Sequence, residues 1–113
     1  KRLEEVQGIL GISGATTCKA MQGLVAEGEE VLTESGDPIA KDAAIIAGAQ
    51  RIEHYEIAGY GTARTLAGEL DYGDAERLLG ETLDEESAAD KLLTKIATGG
   101  MFKDGVNKAA VAS

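Results

Sequence analysis

Apolar residues recur along most of the chain at intervals of three and four, the period of a helix with one buried face. Leu3, Val6 and Leu10 open the pattern with no capping residue ahead of them, so residues 1–10 read as the C-terminal end of a helix. "GISGATT" interrupts it. The same spacing returns over 16–33, with Cys18, Met21, Leu24, Val25, Gly28, Val31 and Leu32 on one side, while "EGEE", Glu27 to Glu30, forms a wet face. "ESGDPIA" then marks a boundary. Asp37 can accept from the free N–H groups that start a helix, and Pro38 suits its first position, where a missing N–H costs nothing. Helical spacing continues from 38 to about 70, a length of roughly 50 Å. "DYGD" breaks the chain, Asp74 caps a last long helix over 74–97, and Gly99 and Gly100 end it. "MFKDGVNKAAVAS" reads as a weakly structured tail with room for one short helical turn. No strand-period alternation is sustained. The pattern predicts a single all-α domain: two long antiparallel helices joined by a turn of about four residues, with a connecting helix before them.

Composition narrows the function classes. Aromatics are only 4% of the chain, with no Trp, so the predicted core is one of small aliphatic side chains that suit closely packed helices. Gly48 and Gly59 read as points of close helix approach. The formal net charge is −9, from 20 acidic and 11 basic residues, which repels a phosphate backbone and attracts cations. Nucleic acid is therefore not an expected partner. Nor is a membrane, since no apolar run approaches the roughly 20 residues a span needs. Cys18 is the only cysteine, which excludes an intrachain disulfide or a thiolate zinc site and points to packing in a reducing cytoplasm. His54 is the only histidine, so Ser-His and Cys-His catalysis has no basis within one chain.

The candidate chemistry lies in carboxylates. On a helical wheel, Ile45, Ala49, Ile52, Tyr60, Ala63 and Ala67 form one apolar stripe of the long helix. Glu56 falls near its middle and Glu53 on its flank, whereas His54 points to nearly the opposite side. In the last helix the stripe runs through Leu78, Thr82, Ala89, Leu93 and Ile96, with Glu85 and Glu86 on its borders. Antiparallel packing would bring Glu53 and Glu56 towards Glu85 and Glu86. Converging glutamates in a core cannot all stay ionised without a cation, and no arginine sits on either stripe. Tyr60, one turn beyond Glu56, is a core residue that can also hydrogen-bond a carboxylate.

"DAAIIAGAQRIEHYEIAGYGTARTLAGEL" followed by "AERLLGETLDEESAADKLLTKIA" closely resembles the bacterial YciE/YciF ferritin-like proteins. The likeness extends back through "CKAMQGLVAEGEEVL" to "RLEEVQGILG", covering about residues 2–97. It implies a four-helix bundle with a two-metal site between its helices, a role in bacterial stress responses, and association as dimers. "EHYE" matches the third bundle helix, where the resemblance makes Glu53 and Glu56 carboxylate ligands. "DEESAAD" matches the fourth, where ferritin-like proteins carry Glu-x-x-His. The register is open by one residue, pairing Glu85 with Ala88 or Glu86 with Ala89, and either pairing has alanine for histidine. The first bundle helix, and most of the second, would precede Lys1.

The expected function is therefore a dinuclear iron or manganese site held by glutamates in a stress-associated protein. The expected partner is a second copy of the chain, because two long helices with partial cover leave apolar surface open. The alternative is a metal-free helical protein that self-associates or binds a partner and retains a relic of the site.

Overall fold

The computed structural model describes residues 1–112. They form α1 (Arg2–Leu10), α2 (Lys19–Thr33), α3 (Pro38–Glu69), α4 (Gly73–Thr98), a two-residue antiparallel pair β1 (Gly99–Gly100) and β2 (Lys103–Asp104), and α5 (Val106–Ala112). The fold is all-α, as the spacing predicts. α3 and α4 form a long antiparallel hairpin; α1 lies on α4, α2 on α3, and α5 touches both long helices.

Local chemistry sets the ends of α3. The Asp37 carboxylate accepts from the N–H groups of Ile39 and Ala40 at 3.3 and 3.4 Å, and Pro38 occupies the first turn. At the other end Tyr72 N–H donates to Ala67 O at 2.9 Å and Asp71 N–H to Gly68 O at 3.1 Å. That bond pair closes the helix around a left-handed residue, here Asp71 with φ 62°, a conformation aspartate tolerates better than most side chains. The reversal is tight enough to lay α4 back along α3. Asp74 is not the cap of α4, because the helix begins at Gly73 after Tyr72. Its charge lies inside the first turn, where it favours the positive end of the helix dipole.

The buried core sits near this turn. Val6, Ala67, Ala75, Leu78 and Leu79 make one cluster, with Leu10, Tyr60 and Ala63 packed against it. Two glycines give the helices close contact here, although not the two expected. A Cβ on Gly80 would stand 3.3 Å from Arg64 Nε, and one on Gly68 would stand 3.2 Å from the Glu76 carboxyl. Gly48 and Gly59 have no such neighbour within 4 Å.

The molecule is elongated, 53 × 33 × 19 Å, with a radius of gyration of 17.5 Å. A compact domain of this length would have a radius near 13 Å, so the hairpin keeps one face without a covering layer. Consistently, Ile96 on the α4 stripe is exposed, as is Leu92 outside it. On α2, Met21, Leu24, Gly28 and Val31 are half-buried, whereas Cys18, Val25 and Leu32 are exposed. Cys18 does not pack as a small hydrophobe. Its Sγ accepts from the Met21 N–H at the start of α2 and lies 2.8 Å from Tyr55 Oη.

Past Thr98 the chain is more ordered than its composition suggests. Gly99 adopts φ 79°, and a Cβ there would collide with the Lys103 carbonyl oxygen. Glycine at this position lets the chain turn into the β1–β2 pair and seat α5 against α3 and α4. Among the described residues, no helix is long and apolar enough to cross a membrane.

Candidate metal centre

Glu53 and Glu56 are three residues apart on α3 and therefore share a face. Across the hairpin, α4 presents Glu86 to them. One carboxylate oxygen from each of the three lies within 4.8 Å of the other two, and all three residues are half-buried. Opposite oxygens around a hard divalent cation stand roughly 4.2 Å apart, from bonds of about 2.1 Å. Small side-chain rotations therefore suffice to gather the set around an ion.

The electrostatics are those of an uncompensated cluster. Glu53 Oε2 is cut off from solvent and has no hydrogen-bond donor among the described residues. The Glu53 carboxyl is pushed up to about 7, first by the proton it shares with Glu86, then by burial and the charges of Glu86, Glu56 and Asp90. Glu56 is raised as well, chiefly by burial and then by Glu86. A cation can replace that proton. Carboxylate oxygens on facing helices are the donors that iron and manganese accept, and the orphaned oxygen supplies a ready lone pair. The residues present fit such an ion.

Glu85 does not join the cluster. One position along a helix is a rotation of about 100°, which turns Glu85 towards α1 when Glu86 faces α3. There the Arg2 guanidinium binds it in a fork, Nη2 to Oε1 at 2.8 Å and Nη1 to Oε2 at 3.0 Å. Arg2 also donates to Thr82 Oγ1 at 2.9 Å and lies 3.4 Å from a Glu81 oxygen. This pairing holds Glu85 below the usual carboxylate range, opposite to Glu53 and Glu56. No arginine sits on either stripe, yet one reaches the flank from α1, 83 residues away in sequence. With Glu86 inward, the residue three positions on is Ala89, so the set contains no histidine.

Tyr60 packs against the core cluster beside the site. Among the described residues its hydroxyl makes no hydrogen bond to Glu53 or Glu56. Burial raises its pKa, with smaller contributions from the Glu56 and Glu86 charges. The wheel sets His54 nearly opposite the apolar stripe, yet its side chain reaches across to α4 and not to the glutamates. Its Nε2 meets Asp90 Oδ1 at 3.0 Å, and Gln50 Nε2 donates to the same oxygen at 3.2 Å and to Thr94 Oγ1 at 2.7 Å. These contacts tie α3 to α4 one turn beyond Glu86. Asp90 follows Glu86 by four residues and so lies on the same side of the helix, a placement its spacing alone makes legible.

Comparison with known proteins places the chain in a family. The family described as "Domain of unknown function (DUF892)" matches residues 1–110. Protein YciF of Escherichia coli (strain K12) is 50% identical over 92 residues, which are 81% of this chain and 55% of that protein. A solved structure titled "The crystal structure of the E.coli stress protein YciF" superposes with a TM-score of 0.79 at 45% identity, covering 83% of this chain and 60% of that one. The chain thus spans little more than half the length of these relatives.

Proposed function

The chain belongs to the DUF892 family, and from that premise we propose that it is part of a ferritin-like, stress-associated protein that binds iron or manganese through Glu53, Glu56 and Glu86. The observation that carries this reading is the convergence of three half-buried carboxylates from facing helices, one with a shielded oxygen that has no donor. Three carboxylates are about half the ligand set of a ferritin-like dinuclear centre, so the rest would come from outside residues 1–112. Bound there, iron or manganese supplies a Lewis-acidic centre within a mostly aliphatic bundle. The protein's own part is to hold the acidic oxygens together and to keep Glu85 apart on Arg2.

Metal analysis of the full-length protein after anaerobic loading with Fe(II) or Mn(II) tests the reading. One to two equivalents of metal per chain are expected. Glu86→Gln should lower that content sharply, while Glu85→Gln should leave it unchanged. Wild-type protein that stays near zero would overturn the metal site. It would favour a metal-free protein in which Glu53 and Glu86 share a proton, a state the raised Glu53 pKa already describes.

Self-association belongs to the same proposal. Leu66, Leu92, Met101 and Phe102 are each more than half exposed, and burying them in a contact between copies would favour association. Light scattering on the full-length protein at micromolar concentration should give a dimer or larger. A clean monomer would remove this part and leave the metal site standing.

A further inference from the structure

The apolar surface that the hairpin leaves open is not uniform in charge. At the end of α4, Leu92 and Ile96 join Met101, Phe102 and Val106 around a groove of about 510 Å³. Met101 and Phe102 form the turn between β1 and β2 and are 90% and 96% exposed, so their side chains touch almost nothing within one chain. Lys95 and Lys103 line the groove as well. Among the described residues neither is in an ion pair, whereas Asp104, the acidic lining residue, is held by Lys108 at 2.9 Å. From residue 91 onwards the chain has four lysines and one aspartate, a basic end on a molecule of net charge −9.

The complement lies on α2. Beside the stripe that packs on α3, this helix carries a second one through Met21, Val25, Glu29 and Leu32, at helical spacing. Val25 and Leu32 are exposed. Residues 24–37 hold five acidic side chains and no basic one. An apolar stripe with acidic flanks suits an apolar groove with two unpaired lysines. Apolar burial would supply the affinity, and the opposite charges the register.

We propose that a second copy of the chain occupies this groove, laying Val25 and Leu32 of its α2 against Ile96 and Phe102, with Glu29 and Glu30 beside Lys95 and Lys103. The proposal rests on the self-association put forward above and names its contact. A second copy is favoured over other occupants because the acidic, apolar face that the groove calls for already stands exposed on α2. One chain carries both halves, so a two-fold pair makes the contact twice and closes, with neither half left open.

The experiment is analytical ultracentrifugation of the full-length protein over a concentration series, with two charge-reversed variants. Lys95→Glu with Lys103→Glu sets the groove against α2. Glu29→Lys with Glu30→Lys sets α2 against the groove. Each double variant alone should associate at least about tenfold more weakly than the wild type, because like charges then face each other in both contacts. Mixed one to one, the two should associate as the wild type does, since every lysine pair then meets a glutamate pair. Phe102→Ser gives a check without charge. It should weaken association and leave the thermal midpoint in place, and it decides the matter if a double variant does not fold. Wild-type affinity in the double variants or in Phe102→Ser, or weak variants that fail to recover on mixing, would overturn this contact and leave self-association to another surface. A monomeric wild type would overturn both.

Discussion

Glu56→Ala is expected to strip iron or manganese from the full-length protein. Among the described residues Glu56 is one of three carboxylates that converge, and alanine provides no oxygen in its place. Loss of a supporting residue around a metal typically weakens binding by about 10- to 100-fold, and loss of a direct ligand should do at least as much. The apo protein should not suffer, because the substitution removes a half-buried charge whose pKa is already raised by burial and by Glu86. The two effects separate in one calorimetric comparison. A ligand at about a hundred times its dissociation constant stabilises the state that binds it by about 2.7 kcal/mol. Mn(II) should therefore raise the wild-type melting temperature and leave that of Glu56→Ala in place, while the two apo proteins melt together or the variant melts higher. Equal metal content in the two proteins would refute the site.

Glu53→Gln should stabilise the apo protein at pH 8 and make little difference at pH 5. In the folded protein Glu53 titrates at about 7, above the ordinary value of 4.5. A raised acid binds its proton more tightly when folded, so its stabilising contribution is complete below about pH 4.5 and is lost as pH rises through about 7. Above that, the wild type carries an ionised Glu53 with one oxygen lacking a donor, beside two more carboxylates. Glutamine has nearly the same shape and no charge. The expected gain at pH 8 is about 1–2 kcal/mol, less than the full shift implies because the group is only half-buried and water screens it. Denaturant titrations with a chelator present, at pH 5 and pH 8, measure it. The Arg2–Glu85 pair has the opposite sign, losing its contribution at acid pH, but it is common to both proteins and cancels in the difference. A gap that stays constant with pH, or that favours the wild type at pH 8, would show that the cluster is not strained in the way its geometry implies. With Mn(II) added, the ranking at pH 8 should invert, because glutamine is a poor substitute for an anionic ligand.

The amino-acid sequence by itself determined the long hairpin and the face on which its glutamates lie. The Asp37–Pro38 start acts within four residues, and the 3.6-residue period that joins Glu53 to Glu56 is a property of any helix, so both were legible without neighbours. Contacts between elements decided the rest. Glu85 and Glu86 border one stripe almost symmetrically, and only the rotation of α4 between α3 and α1 sends one to the cluster and the other to Arg2. Nothing periodic in the chain links Arg2 to Glu85 or Gln50 to Asp90, because those pairs meet only once the helices are packed. The tail is a like case: "MFKDGVNKAAVAS" signals no more than a short helical turn, and α5 packs against α3 and α4 after the turn at Gly99. A local rule can place a side chain on a face, but which face meets which neighbour depends on how the helices cross, and there the tertiary structure decided which glutamate of α4 meets Glu53 and Glu56.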